Sequence, residues 1–168
     1  MNNILIISTG GTFNKEYNKI SGNLDIDTTS KALNSITKHW LTKLNYINII
    51  NKDSLDFNIQ DRKKLLKSIK DSKYSKIVVI HGTDTIDISA KFIDSAKLNK
   101  TIVFTGAMVP FSINPIEATA NLAFALGYCK LAPSGVYIAI NSVAQKFDRV
   151  IKNRELGKFE LLKTTKIN

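Results

Sequence analysis

The sequence predicts an α/β protein of three layers: a flavodoxin-like, mostly parallel sheet with helices on both faces. Three observations predict it. Short runs rich in Ile and Val recur at residues 3–8, 45–50, 76–80, 101–105 and 135–140. Most of these runs are close to continuously apolar, the pattern of strands buried on both faces of a parallel sheet. Segments of helical length and period separate them, and parallel strands joined by helices imply right-handed crossovers. The length of 168 residues suits one domain spanning residues 1–168, with a core of useful size and little room for a second.

Each element has a local reason. Asn3-Ile4-Leu5-Ile6-Ile7 starts the first strand without a basic region, long apolar segment or small-residue cleavage site ahead of it, so cytoplasmic residence is expected. Thr28, Thr29 or Ser30 can cap a first helix running to about Leu44, with Leu33, Ile36, Trp40 and Leu44 on one stripe. Asn58 with Asp61 opens a second helix carrying Ile59, Leu65, Leu66 and Ile69. A third follows from about Asp84 to Ala96. A fourth starts at Pro115, well placed for a first helical turn, and reaches about Lys130. Residues 141–168 lose this rhythm, with Lys146, Arg149, Lys152, Arg154 and Lys158 among isolated apolar residues. A hairpin or an edge element is expected there.

Composition narrows the function. With 43% hydrophobic and 23% charged residues, eight Gly and three Pro, the chain is neither disordered nor of low complexity. No apolar run approaches the ~18 residues of a membrane span. Cys129 is the sole cysteine, so there is no internal disulfide and no paired Cys/His spacing for zinc; neither metal nor cofactor is expected. A net charge of +10 raises the idea of nucleic acid, but the basic residues are 21 Lys and 3 Arg spread along the chain. Arginine, the residue of forked phosphate and base recognition, is scarce. Neither nucleic acid nor a membrane is an expected partner.

In a doubly wound sheet, ligands bind beyond the carboxyl ends of the strands, where strand order reverses. The first strand is followed by Ser8-Thr9-Gly10-Gly11-Thr12, a glycine pair that allows a sharp turn and a close backbone approach, then a hydroxyl. Such a pair also serves ordinary turns, and the spacings of dinucleotide and P-loop motifs are absent. The third strand is followed by His81-Gly82-Thr83-Asp84-Thr85, which also reads as an ordinary helix start. In flavodoxin-like order the first and third strands are neighbours, so the two Gly-Thr turns would flank the switch point.

With Thr9-Gly10-Gly11-Thr12 and His81-Gly82-Thr83-Asp84-Thr85 in this order, the chain resembles the amino-terminal domain of bacterial-type L-asparaginases. Asp53-Ser54, Thr105-Gly106-Ala107-Met108-Val109-Pro110, Ala120-Asn121-Leu122 and Arg149-Val150-Ile151-Lys152-Asn153 extend the resemblance over essentially the whole chain. It implies hydrolysis of L-asparagine to L-aspartate and ammonia, with Thr12 as nucleophile through an aspartyl ester. Thr83, Asp84 and Lys152 match the family's second hydroxyl-carboxylate-lysine set, and Tyr17 is the candidate for the assisting loop tyrosine. The same resemblance places substrate against Gly11, Ser54, Leu55, Thr83, Asp84 and Ala107. It implies a homodimer or homotetramer.

Longer members carry a second, smaller domain whose carboxylate binds the substrate ammonium of a neighbouring subunit. The resemblance is to short-chain members that keep the catalytic domain alone. Glu16, Asp56 or Glu155 are candidates to replace that carboxylate, and Leu55 stands where a polar residue is usual. L-glutamine or a related amide remains an alternative substrate, since one methylene separates only ~1–3 kcal/mol. A non-catalytic amino-acid-binding module is a further alternative. His81 is expected to orient its turn rather than act as a base, and His39 to lie at the surface.

Overall fold

The computed structural model describes residues 3–162. In chain order the first half comprises β1 (Ile4–Gly10), β2 (Lys15–Tyr17), β3 (Leu24–Ile26), α1 (Lys31–His39), β4 (Asn45–Lys52), α2 (Ile59–Asp71) and β5 (Lys76–Ile80). Then come α3 (Ile86–Asp94), β6 (Thr101–Thr105), α4 (Pro115–Leu131), β7 (Gly135–Ile140), β8 (Val143–Lys146), β9 (Val150–Asn153) and β10 (Lys158–Leu161). The main sheet has the order β4-β1-β5-β6-β7-β8. Its first five strands are parallel, and β8 returns antiparallel along β7. This is the flavodoxin-like order, with β1 and β5 adjacent at the reversal.

Period-two alternation divides the strand side chains between two cores. Ile4 and Ile6 of β1 pack with Leu33 and Ile36 of α1 and Leu122 and Ala125 of α4. Leu5 and Ile7 face the other way, against Leu65 and Ile69 of α2 and Ile86 and Ile93 of α3. Burial of each such side chain contributes about 1.5–3 kcal/mol, which explains why the strands are apolar on both faces.

Helix boundaries depart from expectation at α1. It ends at His39 rather than near Leu44, because β4 begins pairing at Asn45 opposite Leu5 and the intervening residues must reverse the chain. Its start is held by Asp27, whose carboxylate accepts from Lys31 N at 2.7 Å and Thr29 N at 3.0 Å. Ser30 precedes the helix in a left-handed conformation and makes no side-chain cap. By contrast, Asn58 and Asp61 form a reciprocal capping box on α2. Residues 141–161 supply both an edge strand and a hairpin, the two alternatives considered for this stretch. Asn141 and Ser142, both at positive φ, make the tight β7–β8 turn. The β9–β10 hairpin buries Val150 and Phe159 in the second core. Among the described residues, no helix is long and apolar enough to cross a membrane.

Candidate active site

The loops leaving β1, β4 and β5 converge at the carboxyl edge of the sheet. Gly11, at φ 74°, donates its N–H to Lys52 O at 3.0 Å. A Cβ built on it would lie 2.4 Å from the Gly82 Cα, and one on Gly82 would lie 2.6 Å from Ser54 Oγ. The two Gly-Thr turns and the Ser54 turn are therefore in backbone contact. Only glycine permits this approach. Thr9 Oγ1 donates to Ile80 O at 2.9 Å, fastening β1 to the last residue of β5 just below the junction.

Thr12, the residue after Gly11, is partly buried at the start of a single 3-10 turn, Thr12–Asn14. Thr83, the residue after Gly82, is buried, and its Oγ1 accepts from Lys152 Nζ at 2.8 Å. The same Nζ donates to Asp84 Oδ1 at 2.8 Å. Lys152 reaches them because alternation along β9 sets it on the face of the buried Val150. The Lys152 ammonium, hydrogen-bonded to Asp84, holds that carboxyl below its usual range against the raising effect of burial, and Arg154 reinforces it. Thr83, Asp84, Lys152 and Arg154 line a recess of ≈ 180 Å³ with Ile138 and Phe159.

Ser54 is fully buried, and its Oγ has no hydrogen-bond partner. A buried hydroxyl left unpaired costs free energy, so Ser54 Oγ is a donor in waiting. Its carbonyl accepts from Thr85 Oγ1 at 2.8 Å, joining the β4 and β5 loops. Asp53 caps the Ser54 turn through Leu55 N and pairs with Lys15 at 2.6 Å. Against the raising effect of burial, Lys15 and the Leu55 N–H keep the Asp53 carboxyl below its usual range, while the charge of Asp84 opposes them.

Other anticipated positions lie differently. Leu55 projects to solvent at 68% exposure, whereas Ala107 is wholly buried in the first core. Tyr17 is 59% exposed on the β2–β3 hairpin and makes no hydrogen bond to Thr12. Of the carboxylates suggested for the ammonium, Glu16 pairs with Lys31 at 2.6 Å, and Asp56 and Glu155 are exposed. His81 is fully buried beneath the turns, its ring edge-on to Phe57 and Phe104. Burial pushes its pKa down to about 4, and its Nδ1 donates to Gly82 O at 2.8 Å. A neutral, enclosed imidazole of this kind shapes the turn.

A polar network behind the site carries no expected role in the sequence reading. Glu117 accepts from Met108 N at 3.0 Å, Val109 N at 2.8 Å, Asn121 Nδ2 at 3.1 Å and Asn141 Nδ2 at 2.9 Å. Asn121 also donates to Gly106 O at 3.0 Å and accepts from Asn141 N at 2.8 Å. Its sequence signal is an acid and an amide four residues apart on an otherwise apolar helix. Among the described residues, no group of His, Cys, Asp and Glu could hold a metal ion.

A family model described as "Asparaginase, N-terminal" matches residues 3–160. A "Probable L-asparaginase periplasmic" of Haemophilus influenzae is 31% identical over 154 residues, covering 83% of this chain and 43% of the relative. The solved thermostable L-asparaginase from Thermococcus kodakarensis superposes with a TM-score of 0.79 at 24% identity, over 95% of this chain and 51% of that one, which bears on the fold alone. A probable cytoplasmic L-asparaginase from Campylobacter jejuni gives a TM-score of 0.73 at 25% identity, over 94% of this chain and 51% of that one. The chain spans about half the length of the relatives it matches.

Proposed function

Because the chain belongs to the asparaginase family, in the part matched by its N-terminal domain, we propose that it is a cofactor-free amidohydrolase converting L-asparagine to L-aspartate and ammonia. The observation that supports this reading is the backbone contact of Gly11 with Gly82, the residues immediately before Thr12 and Thr83, together with the hydrogen bonds of Lys152 to Thr83 and Asp84.

Thr12 Oγ1 attacks the carbon of the side-chain amide. Its proton passes to the amide nitrogen, which leaves as ammonia, and an aspartyl ester forms on Thr12. Water then cleaves the ester and restores the hydroxyl. Lys152 occupies a lone pair of Thr83 Oγ1, so Thr83 keeps its own proton for donation toward the reacting groups. Backbone N–H groups near Thr12 and Thr83 hold the oxyanion. Ser54 Oγ donates to the substrate α-carboxylate, Asp84 pairs with its ammonium, and Gly11, Leu55 and Ala107 complete the surround. Tyr17 assists when the β2–β3 hairpin closes, a motion coupled to the Ser54 turn by the Lys15–Asp53 pair.

Ammonia release from L-asparagine and from L-glutamine tests this, with Thr12→Ala and Thr83→Ala as controls. Release from asparagine that falls on the order of 10²-fold or more in both variants is expected. Preferential release from glutamine points to the alternative amide. Binding of asparagine without ammonia, up to tens of millimolar, well above a typical ~1 μM–1 mM KM, overturns catalysis in favour of a binding module.

The catalytic domain formed by these residues is proposed to act in a cytoplasmic homodimer or homotetramer. Support for self-association comes from α4, whose Ile116 and Leu131 are 75% and 88% exposed. Elution as a monomer at working concentration would remove it. Cell fractionation checks the compartment, on which the relatives' names differ. Absence of salt-dependent retention on DNA or RNA checks that the positive charge serves no nucleic acid.

A further inference from the structure

Arg154 sits on the turn between β9 and β10, two residues beyond Lys152, and forks onto Asp84. Its Nη1 donates to Asp84 Oδ1 at 2.8 Å and its Nη2 to the Asp84 carbonyl at 3.0 Å. Asp84 Oδ1 thereby accepts from two cations at once, since Lys152 Nζ also lies 2.8 Å from it. Two cations around one carboxylate leave the cluster positive, and the nearby Asp53 is already engaged by Lys15. An incoming ammonium finds Oδ1 shared by two cations that already draw on the carboxylate's charge, and the local field unfavourable.

Resting on the amidohydrolase reading, we propose that Arg154 is a specificity-determining latch that competes with the substrate's α-ammonium for Asp84. A carboxylate-bearing amide without an α-ammonium does not need Asp84 and gains nothing from release of the latch. The geometry suits release. The Arg154 side chain is 64% exposed, so its ion pair is held weakly. The hairpin keeps its shape without it, through Asn153 Nδ2 to Glu160 at 2.9 Å and Leu156 N to Asn153 Oδ1 at 3.0 Å. Lys152, at 15% side-chain exposure, is the cation that stays.

The test compares ligands with and without the α-ammonium in wild type, Arg154→Gln and Arg154→Lys. Calorimetry with L-aspartate and succinate gives Kd without turnover; steady-state kinetics with L-asparagine and succinamate give KM. Arg154→Gln is expected to lower the Kd of L-aspartate and the KM of L-asparagine about two- to fivefold, the range of an exposed ion pair. The change falls in KM rather than kcat, and succinate and succinamate, which lose a nearby positive charge and gain no anchor, do not tighten. Arg154→Lys, which cannot fork onto carboxylate and carbonyl together, lies between. Weaker aspartate binding in Arg154→Gln, an equal shift for both ligand pairs, or no aspartate binding by Arg154→Gln overturns the latch. If wild type binds aspartate yet releases no ammonia from asparagine, the amidohydrolase reading fails while the calorimetry still decides the latch.

Discussion

At the scale of single residues, His81 carries a pH signature of stability. Its imidazole is sealed between aromatic rings with a pKa near 4, against about 6.5 in an unfolded chain. As pH falls, the unfolded chain takes up this proton first, so the stabilisation is complete above about pH 6.5 and erodes between about 6.5 and 4. The loss amounts to about 3 kcal/mol. Asp84 acts in a lower window, because its carboxyl is held below 3.8 and its contribution disappears only as pH falls through that depressed value. Urea unfolding at pH 7, 5.5 and 4 should show the first loss, and His81→Gln should flatten it. Unchanged wild-type stability between pH 7 and 4 would contradict the assignment. The burial of His81 was legible as a turn-orienting role, but its enclosure by Phe57 and Phe104 was not, because those rings arrive from distant segments.

At the scale of elements, Glu117 of α4 pins the loops after β6 and β7 by accepting from Met108 N, Val109 N and Asn141 Nδ2. Glu117→Gln replaces one acceptor oxygen with an amino group facing other donors. It should lower the unfolding free energy by about 1–3 kcal/mol, seen as a smaller urea midpoint, and, on the proposed amidohydrolase reading, reduce kcat through loosened loops. An unchanged midpoint would show that the network is not holding them. The five main strands and four helices were legible because apolar period reports burial directly. The end of α1 was not, since the register of β4 against β1 decides it rather than local propensity. Lys152 and Asp84, 68 residues apart, were paired by resemblance alone. Arg154 could have been noticed from its i, i+2 spacing to Lys152, and Glu117 with Asn121 from their polarity on an apolar helix.

At the scale of the molecule, the sheet has two ends with different chemistry. A cavity of ≈ 970 Å³ lies at the amino ends of β1, β4 and β5, lined by Trp40, Lys43, Lys73, Tyr74 and Lys130. The smaller recess with the hydroxyls and carboxylates lies at the carboxyl ends, where this topology places ligands. Trp40 is the sole tryptophan, so its fluorescence should not respond to L-aspartate. A response would shift the ligand to the larger cavity. The contact of Gly11 with Gly82 has a kinetic corollary. These residues are 71 positions apart and meet only when β1 and β5 pair in register. Helices form in about a microsecond and can appear in a collapsed chain, whereas long-range parallel pairing comes slowly. During refolding from denaturant, far-ultraviolet circular dichroism can recover before any turnover does. On the proposed amidohydrolase reading, the lag between the two reports how long the chain takes to bring its two glycine turns together.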